Sequence, residues 1–238
     1  MAIAFDAVSV STALNNANTS RTWSHTVGSG SDRVLLVGTR VRDANAQNQT
    51  LATAVTYNGT SLTLYREYAL LSSGLGEYLG VQWWRLVAPP SGAANVVVTW
   101  GNGVPQQGGA VAISLSGVGQ ATPLEAFGET NGTGSLTTVA SVTTLTAEAW
   151  VVSNVYSGAT SATLNAGPTQ RDQTAYGSDY GASATTATTS TGSVTHTWTN
   201  TAAEAGDYIG LAVSVVAAAA PSSSSPAFGR YGVRGPIR

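Results

Sequence analysis

The sequence predicts an all-β protein, built as an antiparallel β-sandwich and followed by an extended C-terminal arm. Apolar and small polar residues alternate with period two, and Gly, Asn or Pro interrupts the alternation at intervals of roughly 8–12 residues. Thr, Val, Tyr and Trp, which pack well on a pleated surface, fill these segments. Since no segment shows the periodicity of an ordinary helix, we expect strands and turns alone.

The expected strands follow one another through the first 216 residues. They are Ala4–Thr12, Arg21–Val27, Arg33–Val41, Ala52–Tyr57, Leu62–Leu71, Glu77–Val87, Asn95–Gly101, Gly109–Ser116, Leu124–Glu129, Ser141–Thr144, Ala149–Tyr156, Gln170–Ala175, Ala182–Thr188, Ser193–Thr199 and Asp207–Val216. The sharpest turn lies at Asn58-Gly59, because this pair tolerates positive φ at both central positions and closes a type I′ hairpin. Residues 1–216 are therefore expected to form a single sandwich of two antiparallel sheets.

Composition favours a component of an assembly. Charged residues make up 9% of the chain, and all ten cations are Arg. Because Lys commonly guards exposed strand edges, we expect association into a homo-oligomer, with a trimer as one option. Without Cys, disulfides and thiolate zinc sites are excluded. The body carries seven Arg and twelve acids, a net charge of 7 − 12 = −5, which argues against nucleic acid as a main ligand.

Residues 217–238 form a separate unit with a different composition. A Pro/Ser linker, Pro221-Ser-Ser-Ser-Ser-Pro226, leads into an arm that contains three Gly, three Arg and no acid. These glycines raise the entropic cost of ordering, so we expect the arm to become ordered by docking in a groove of a partner. The expected contact residues are Phe228, Arg230, Tyr231, Arg234, Ile237 and Arg238.

The candidates for metal or acid–base chemistry are few. His25 and His196 are the only histidines, and each shares a strand face with a Trp two residues away. We interpret both as structural side chains, which could meet if their strands pair; a metal or catalytic role is the alternative.

The acidic residues show two spacings that could be functional. Glu125 and Glu129 would share one strand face, and Asp172 and Asp179 flank a Tyr/Gly-rich segment. A glycosidase pair or a calcium site is the alternative to solvated or turn-capping acids, but no Asp-x-Asp-x-Asp run occurs. We therefore expect no catalytic residue, no metal and no cofactor.

Aromatic residues are the best candidates for a ligand site or an interface. Trp83 and Trp84 are consecutive on one strand, so one should enter the core while the other faces solvent, a second sheet or a neighbouring subunit. The segment from Tyr176 to Tyr180 resembles an adaptable binding loop, in which Tyr supplies contact area and Gly and Ser supply flexibility. For the tryptophans we favour packing within the sandwich or at a subunit contact, and for the segment from Tyr176 to Tyr180 we favour an ordinary Gly-rich loop.

A weak internal similarity is also present. Residues 22–26 and 34–39 (TWSHT, VLLVGT) resemble residues 195–199 and 208–213 (THTWT, YIGLAV). Strands rich in Thr and Val look alike by chance, so we do not interpret this similarity as a duplication.

Four segments resemble a β-sandwich domain that recurs in structural proteins of tailed bacteriophages and in bacterial surface proteins. They are VTYNGTSLT (55–63), VQWWRLVAPPSG (81–92), VVVTW (96–100) and AVAISLSGVGQATPL (110–124). The resemblance covers about residues 20–216 and excludes the arm. It implies a jelly-roll-like fold and a display or assembly role, and it supplies no catalytic residue.

The expected function is that of a non-enzymatic virion protein. Such a head-decoration or fibre-like protein would bind other capsid or tail proteins through its arm, and neither nucleic acid nor membrane. The alternative is a receptor- or glycan-binding module of a tail fibre or cell-surface protein. The first residues lack the basic and apolar regions of a signal peptide, and the apolar stretch Ile209–Ala220 is too short to span a bilayer.

Overall fold

The computed structural model describes residues 1–15, 19–43, 51–73, 76–101, 105–201 and 205–220. These residues form an all-β, antiparallel structure of sandwich type, which confirms the predicted fold class. The strands are β1 (Ala4–Val10), β2 (Leu14–Asn15), β3 (Ser20–Val27), β4 (Val34–Asp43), β5 (Ala52–Tyr57), β6 (Thr60–Ser61), β7 (Thr63–Leu71), β8 (Tyr78–Val87), β9 (Gly92–Trp100), β10 (Gln107–Ser116), β11 (Leu124–Ser135), β12 (Thr137–Thr144), β13 (Trp150–Ser157), β14 (Ala162–Leu164), β15 (Thr169–Tyr176), β16 (Asp179–Ala187), β17 (Gly192–Asn200) and β18 (Gly206–Val215).

Each strand expected from the alternation is present. The predicted hairpin is confirmed, since Asn58 and Gly59 have φ of 49° and 76° and Tyr57 pairs with Thr60. The three strands that the alternation misses, β2, β6 and β14, have two or three residues each and are too short to show a period.

The strands form four sheets instead of the expected two. Inner sheet 1 has the order β1-β10-β4-β8-β7, with β2 also paired to β10, and inner sheet 2 has the order β11-β18-β13-β16-β15. Outer sheet 1 has the order β3-β9-β5-β6, and outer sheet 2 has the order β12-β17-β14. The four sheets stack in layers, with the two inner sheets face to face.

The single sandwich expected over residues 1–216 is thus two sandwiches in tandem. Without β2 and β6, each half has eight strands, and in each half the inner sheet has the order 1-8-3-6-5 and the outer sheet 2-7-4. This order is that of a jelly roll in which the fifth strand has joined the larger sheet. The two halves together bury both faces of the inner sheets, which period-two alternation alone does not reveal.

Bulges mark the repeat at matching positions. The first strand of each half is bulged at Asp6 and at Glu125, and the fifth strand is bulged at Tyr65 and at Arg171. The duplication that the sequence analysis did not favour is therefore present in the topology.

The similarity seen in the sequence matches the wrong strands. It aligned β3 and β4 with β17 and β18, whereas their topological counterparts are β12 and β13. The counterpart of β17 is β9, and both contain related segments, Val96–Trp100 (VVVTW) and Val194–Trp198 (VTHTW).

Three apolar cores separate the four layers. The central core between the inner sheets contains Trp83, Leu36 and Leu211 among others. A second core lies between inner sheet 1 and outer sheet 1, and a third lies between inner sheet 2 and outer sheet 2. Because successive residues of a strand point to opposite faces, β4 supplies Leu36 to the central core and Leu35 to the second core.

Candidate functional site

The two consecutive tryptophans are both core residues. They point to opposite faces of β8, as predicted, and each is covered by another sheet. Trp83 is 0% exposed in the central core, against inner sheet 2, and Trp84 is 6% exposed in the second core, against outer sheet 1. The Trp83 indole N–H donates to the carbonyl oxygen of Leu211 at 3.2 Å, across the interface between the halves. Neither ring is accessible to a ligand.

Tyr176 and Tyr180 belong to a tight hairpin, in which a Gly177-Ser178 turn connects β15 to β16 and Gly177 has a φ of 73°. The Tyr176 ring stacks on Tyr156, with centroids 6.0 Å apart and planes inclined by 6°. The Tyr180 hydroxyl donates to Asn200 Oδ1 at 3.3 Å, and burial raises the pKa of Tyr180 to about 12. Both rings are buried, so the segment is a packed turn.

The two histidines lie on opposite sides of the molecule, in the two outer sheets, and do not meet. His25 Nδ1 lies 2.8 Å from Ser9 Oγ, and His196 Nδ1 lies 2.6 Å from Ser153 Oγ. Burial lowers the pKa of both histidines to about 4, and for His25 the nearby charge of Asp6 opposes this shift. Each imidazole is therefore neutral near neutral pH and is held by a neutral hydroxyl.

Glu125 and Glu129 do not form a pair. Glu125 lies at the bulge of β11 and accepts hydrogen bonds from the backbone N–H groups of Leu145 and Thr146, at 2.9 and 3.1 Å, and from the Ser214 hydroxyl at 2.8 Å. Burial acts to raise the pKa of Glu125, but these hydrogen bonds outweigh it and hold that pKa below its usual value.

Asp6 has the same role in the first half. It lies at the bulge of β1 and accepts hydrogen bonds from the Gly28 N–H at 2.7 Å and from the Ser114 hydroxyl at 2.6 Å. In both halves, a bulged carboxylate thus fixes the loop after the second strand to the last strand.

Asp172 and Asp179 pair with arginines of the other half. Arg40 NH2 lies 2.7 Å from Asp172 Oδ2, and the side chains are 0% and 6% exposed. Burial opposes the charge of Arg40, but Asp172 more than offsets it, so the pKa of Arg40 is raised. Arg42 NH1 lies 2.7 Å from Asp179 Oδ2, which also accepts the Tyr156 hydroxyl at 2.6 Å. These carboxylates hold the halves together.

A cavity of about 260 Å³ opens between the halves where β7 ends and β18 begins. It is lined by Tyr68, Leu70, Leu71, Ser72, Ser73, Leu79, Asn131, Gly132, Thr133, Asp207 and Tyr208. Gly132 makes room for an aromatic wall, because a methyl group at this position would overlap the ring of Tyr208. Asn131 Nδ2 donates to the Tyr68 hydroxyl at 2.5 Å. Asp207 Oδ1 accepts the Gly134 N–H at 2.8 Å, and its Oδ2 accepts the Ser72 hydroxyl.

Sequence reasoning did not identify these cavity residues. They come from β7 and the residues after it, β8, β11 and β18, so no local spacing brings them together. The strand order that makes them neighbours depends on the pairing of the two halves.

The start of the body and its C-terminal end meet at the opposite end of the molecule. The Met1 amino group donates to the Ala218 carbonyl oxygen at 2.7 Å, and Val118 forms a β-bridge with Ala217. The body therefore includes Ala217 and Ala218, beyond the boundary at residue 216 that the sequence suggested. The expected docking residues, Phe228, Arg230, Tyr231, Arg234, Ile237 and Arg238, lie outside the described residues.

No other candidate site emerges in the described part of the chain. There, no three His, Asp or Glu side chains gather as a set of metal ligands. No helix in the same residues is long and apolar enough to cross a membrane. Comparisons with protein families, with characterised proteins and with solved structures each found no significant match.

Proposed function

We propose that the protein is a non-enzymatic structural component of a bacteriophage virion, of the head-decoration or fibre-like type. The C-terminal arm attaches it to capsid or tail proteins. The observation that carries this proposal is the position of Ala217 and Ala218, which are fixed beside Val118 and Met1. The chain that leads into the arm is therefore fixed at one end of the body. At about 3.3 Å per residue, the ten residues of β18 extend roughly 30 Å from that end.

The use of the polar side chains supports a non-enzymatic role. Side chains that could act as an acid or a base form hydrogen bonds or ion pairs within the fold at His196, Glu125 and Asp172. Catalytic groups need a reacting atom within hydrogen-bond reach, whereas these groups are directed at structural partners.

The outward faces of the outer sheets support association between copies. Along β3 the outward positions are Ser20, Thr22, Ser24 and Thr26, and along β17 they are Ser193, Thr195, Thr197 and Thr199. Hydroxyl faces without ions can be covered by another chain without the large penalty of desolvating charges. The resemblance to phage β-sandwich domains favours the same role.

Truncation after Ala220 tests the proposal. This variant keeps the hydrogen bonds of Ala217 and Ala218, so we expect the same thermal unfolding as the full chain but no incorporation into particles assembled without the protein. As a matched variant, the full chain with Arg230, Arg234 and Arg238 changed to Gln should attach more weakly, and chiefly at low salt, because the Debye length falls to about 3 Å at about 1 M. Normal incorporation of the truncated protein would contradict the proposal.

The alternative function, a receptor- or glycan-binding module, is favoured by one observation. This is the cavity between the halves, which is polar and partly aromatic and lies at the end of β18 opposite to Ala217.

A further inference from the structure

We propose that the cavity between β7, β11 and β18 binds one ring of a neutral saccharide. This inference goes beyond the structural role proposed above and does not depend on it. It follows from the size of the cavity, from its charge and from the chemistry of its walls.

The size fits a ligand of one ring. Clefts for drug-sized ligands measure roughly 300–1,000 Å³, and this cavity measures about 260 Å³. At about 30 Å³ per water molecule in the liquid, it offers room for several waters, which a single polyhydroxylated ring could replace.

The charge excludes an anionic ligand. Among the described residues that line the cavity, Asp207 is the only one with a charged side chain. The nearest cation along β7, Arg66, is paired with Glu129 at 2.6 Å. A phosphate or carboxylate group would therefore meet a carboxylate with no lining cation to compensate it.

The burial of Asp207 also disfavours an ammonium ligand. Asp207 is 7% exposed, and each of its oxygens already accepts a hydrogen bond, one from Gly134 and one from Ser72. A cation held by a carboxylate needs that carboxylate at the surface of the site. Here the carboxylate lines the cavity but is nearly buried, and both of its oxygens are engaged within the fold.

The walls match the two faces of a sugar ring. Tyr68 and Tyr208 each offer an apolar ring with a hydroxyl tip, suited to the C–H face of a pyranose. At the rim, Ser73 Oγ lies 3.4 Å from Thr133 Oγ1, and beside them is the exposed amide of Asn131. Hydroxyl and amide groups donate and accept, as the hydroxyl groups of a sugar require.

The position of the cavity suits a ligand presented from outside. Tyr208 lies near the start of β18, whereas the bridge of Ala217 that precedes the arm lies just beyond its end. At about 3.3 Å per residue, the two are separated by roughly 30 Å. A molecule held by its arm would carry the cavity at its free end.

The test is a binding experiment on the full-length protein with defined probes. Glucose, galactose, mannose and N-acetylglucosamine are each titrated and followed by saturation-transfer NMR, with choline and inorganic phosphate as probes of the excluded classes. We expect at least one sugar to bind with a Kd of about 1 mM or below. Tyr68→Ala and Asn131→Ala should each raise that Kd about tenfold or more.

Two controls separate a binding defect from unfolding. Asn95→Ala removes an exposed amide on outer sheet 1 and should leave the Kd unchanged. Tyr68→Phe keeps the ring and should bind more tightly than Tyr68→Ala. The inference is overturned if no sugar binds, if choline or phosphate binds in their place, or if the two cavity variants bind like the parent while they unfold at the same temperature.

Discussion

Two corners of the central interface occupy matching positions in the two halves, yet one is filled and the other is open. The filled corner lies where β15 and β16 meet inner sheet 1, and it contains Arg40, Tyr156, Asp172, Tyr176 and Asp179. The open corner lies where β7 and β8 meet inner sheet 2, and it contains the cavity.

Register shows which residues make the difference. Leu70 pairs with Leu79 at the open corner, and Tyr176 pairs with Asp179 at the same distance from the bulge at the filled corner. An aromatic ring and a charged pair occupy the filled corner, whereas two leucines leave space at the open corner. The topology thus fixes where a site can lie, and a few side chains decide whether it is closed.

The largest effect is expected from breaking the filled corner. Asp172→Ala leaves the buried guanidinium of Arg40 without its carboxylate, which should lower the free energy of unfolding by about 3–5 kcal/mol. The matched change on the open side, Glu129→Ala, removes the partner of Arg66, a side chain that is 40% exposed, and should cost below about 1 kcal/mol. Urea unfolding measures both. Equal losses would show that the corners do not differ as described.

Alternation and turn chemistry in the sequence were sufficient to predict the strands and the antiparallel fold. The stacking of four sheets was not predictable in this way, because a strand such as β4, with VLLV at residues 34–37, is apolar on both faces whichever sheets cover it. The opposite orientations of Trp83 and Trp84 were predictable from the pleat. That both are buried depends on a second sandwich covering the first.

The candidate sites were less predictable than the strands. No local pattern pairs Arg40 with Asp172, which lie 132 residues apart, or brings Tyr68 beside Asn131. The bulge at Glu125 was hidden as well, since it changes which side chains share a face of β11 and so separates Glu125 from Glu129.

A change of pH should have an intermediate effect on the free energy of unfolding. It compares the two outer sheets, because each contains one buried histidine. His25 and His196 have a pKa of about 4 in the folded protein, below the usual 6.5. The unfolded chain therefore takes up protons first as the pH falls, so the stability that neutral burial provides is complete above about pH 6.5 and is lost towards pH 4.

At about pH 5 this loss should reach about 2 kcal/mol for each histidine, given about 1.4 kcal/mol for each unit of pKa shift. His25→Gln and His196→Gln should each flatten the dependence of the free energy of unfolding on pH by that amount, whatever their stability at neutral pH. Urea unfolding at several pH values measures the slope. A slope unchanged by either substitution would show that the histidine is already protonated in the fold or is solvated.

The smallest effect tests whether the repeat extends to individual contacts. Asp6→Asn and Glu125→Gln keep the size of each bulged side chain but remove the charge that accepts hydrogen bonds from Gly28 and Ser114 in one half and from Leu145, Thr146 and Ser214 in the other. Hydrogen bonds to a charged group contribute more than neutral ones, so each substitution should lower the free energy of unfolding by about 1 kcal/mol. Glu148→Gln, at an exposed position, is the matched control and should have almost no effect. Similar losses at the two bulges would show that both halves use a carboxylate at the bulge to hold the loop after the second strand to the last strand. A loss at only one of them would mean that the halves share strand order and bulges but not the interactions that stabilise them.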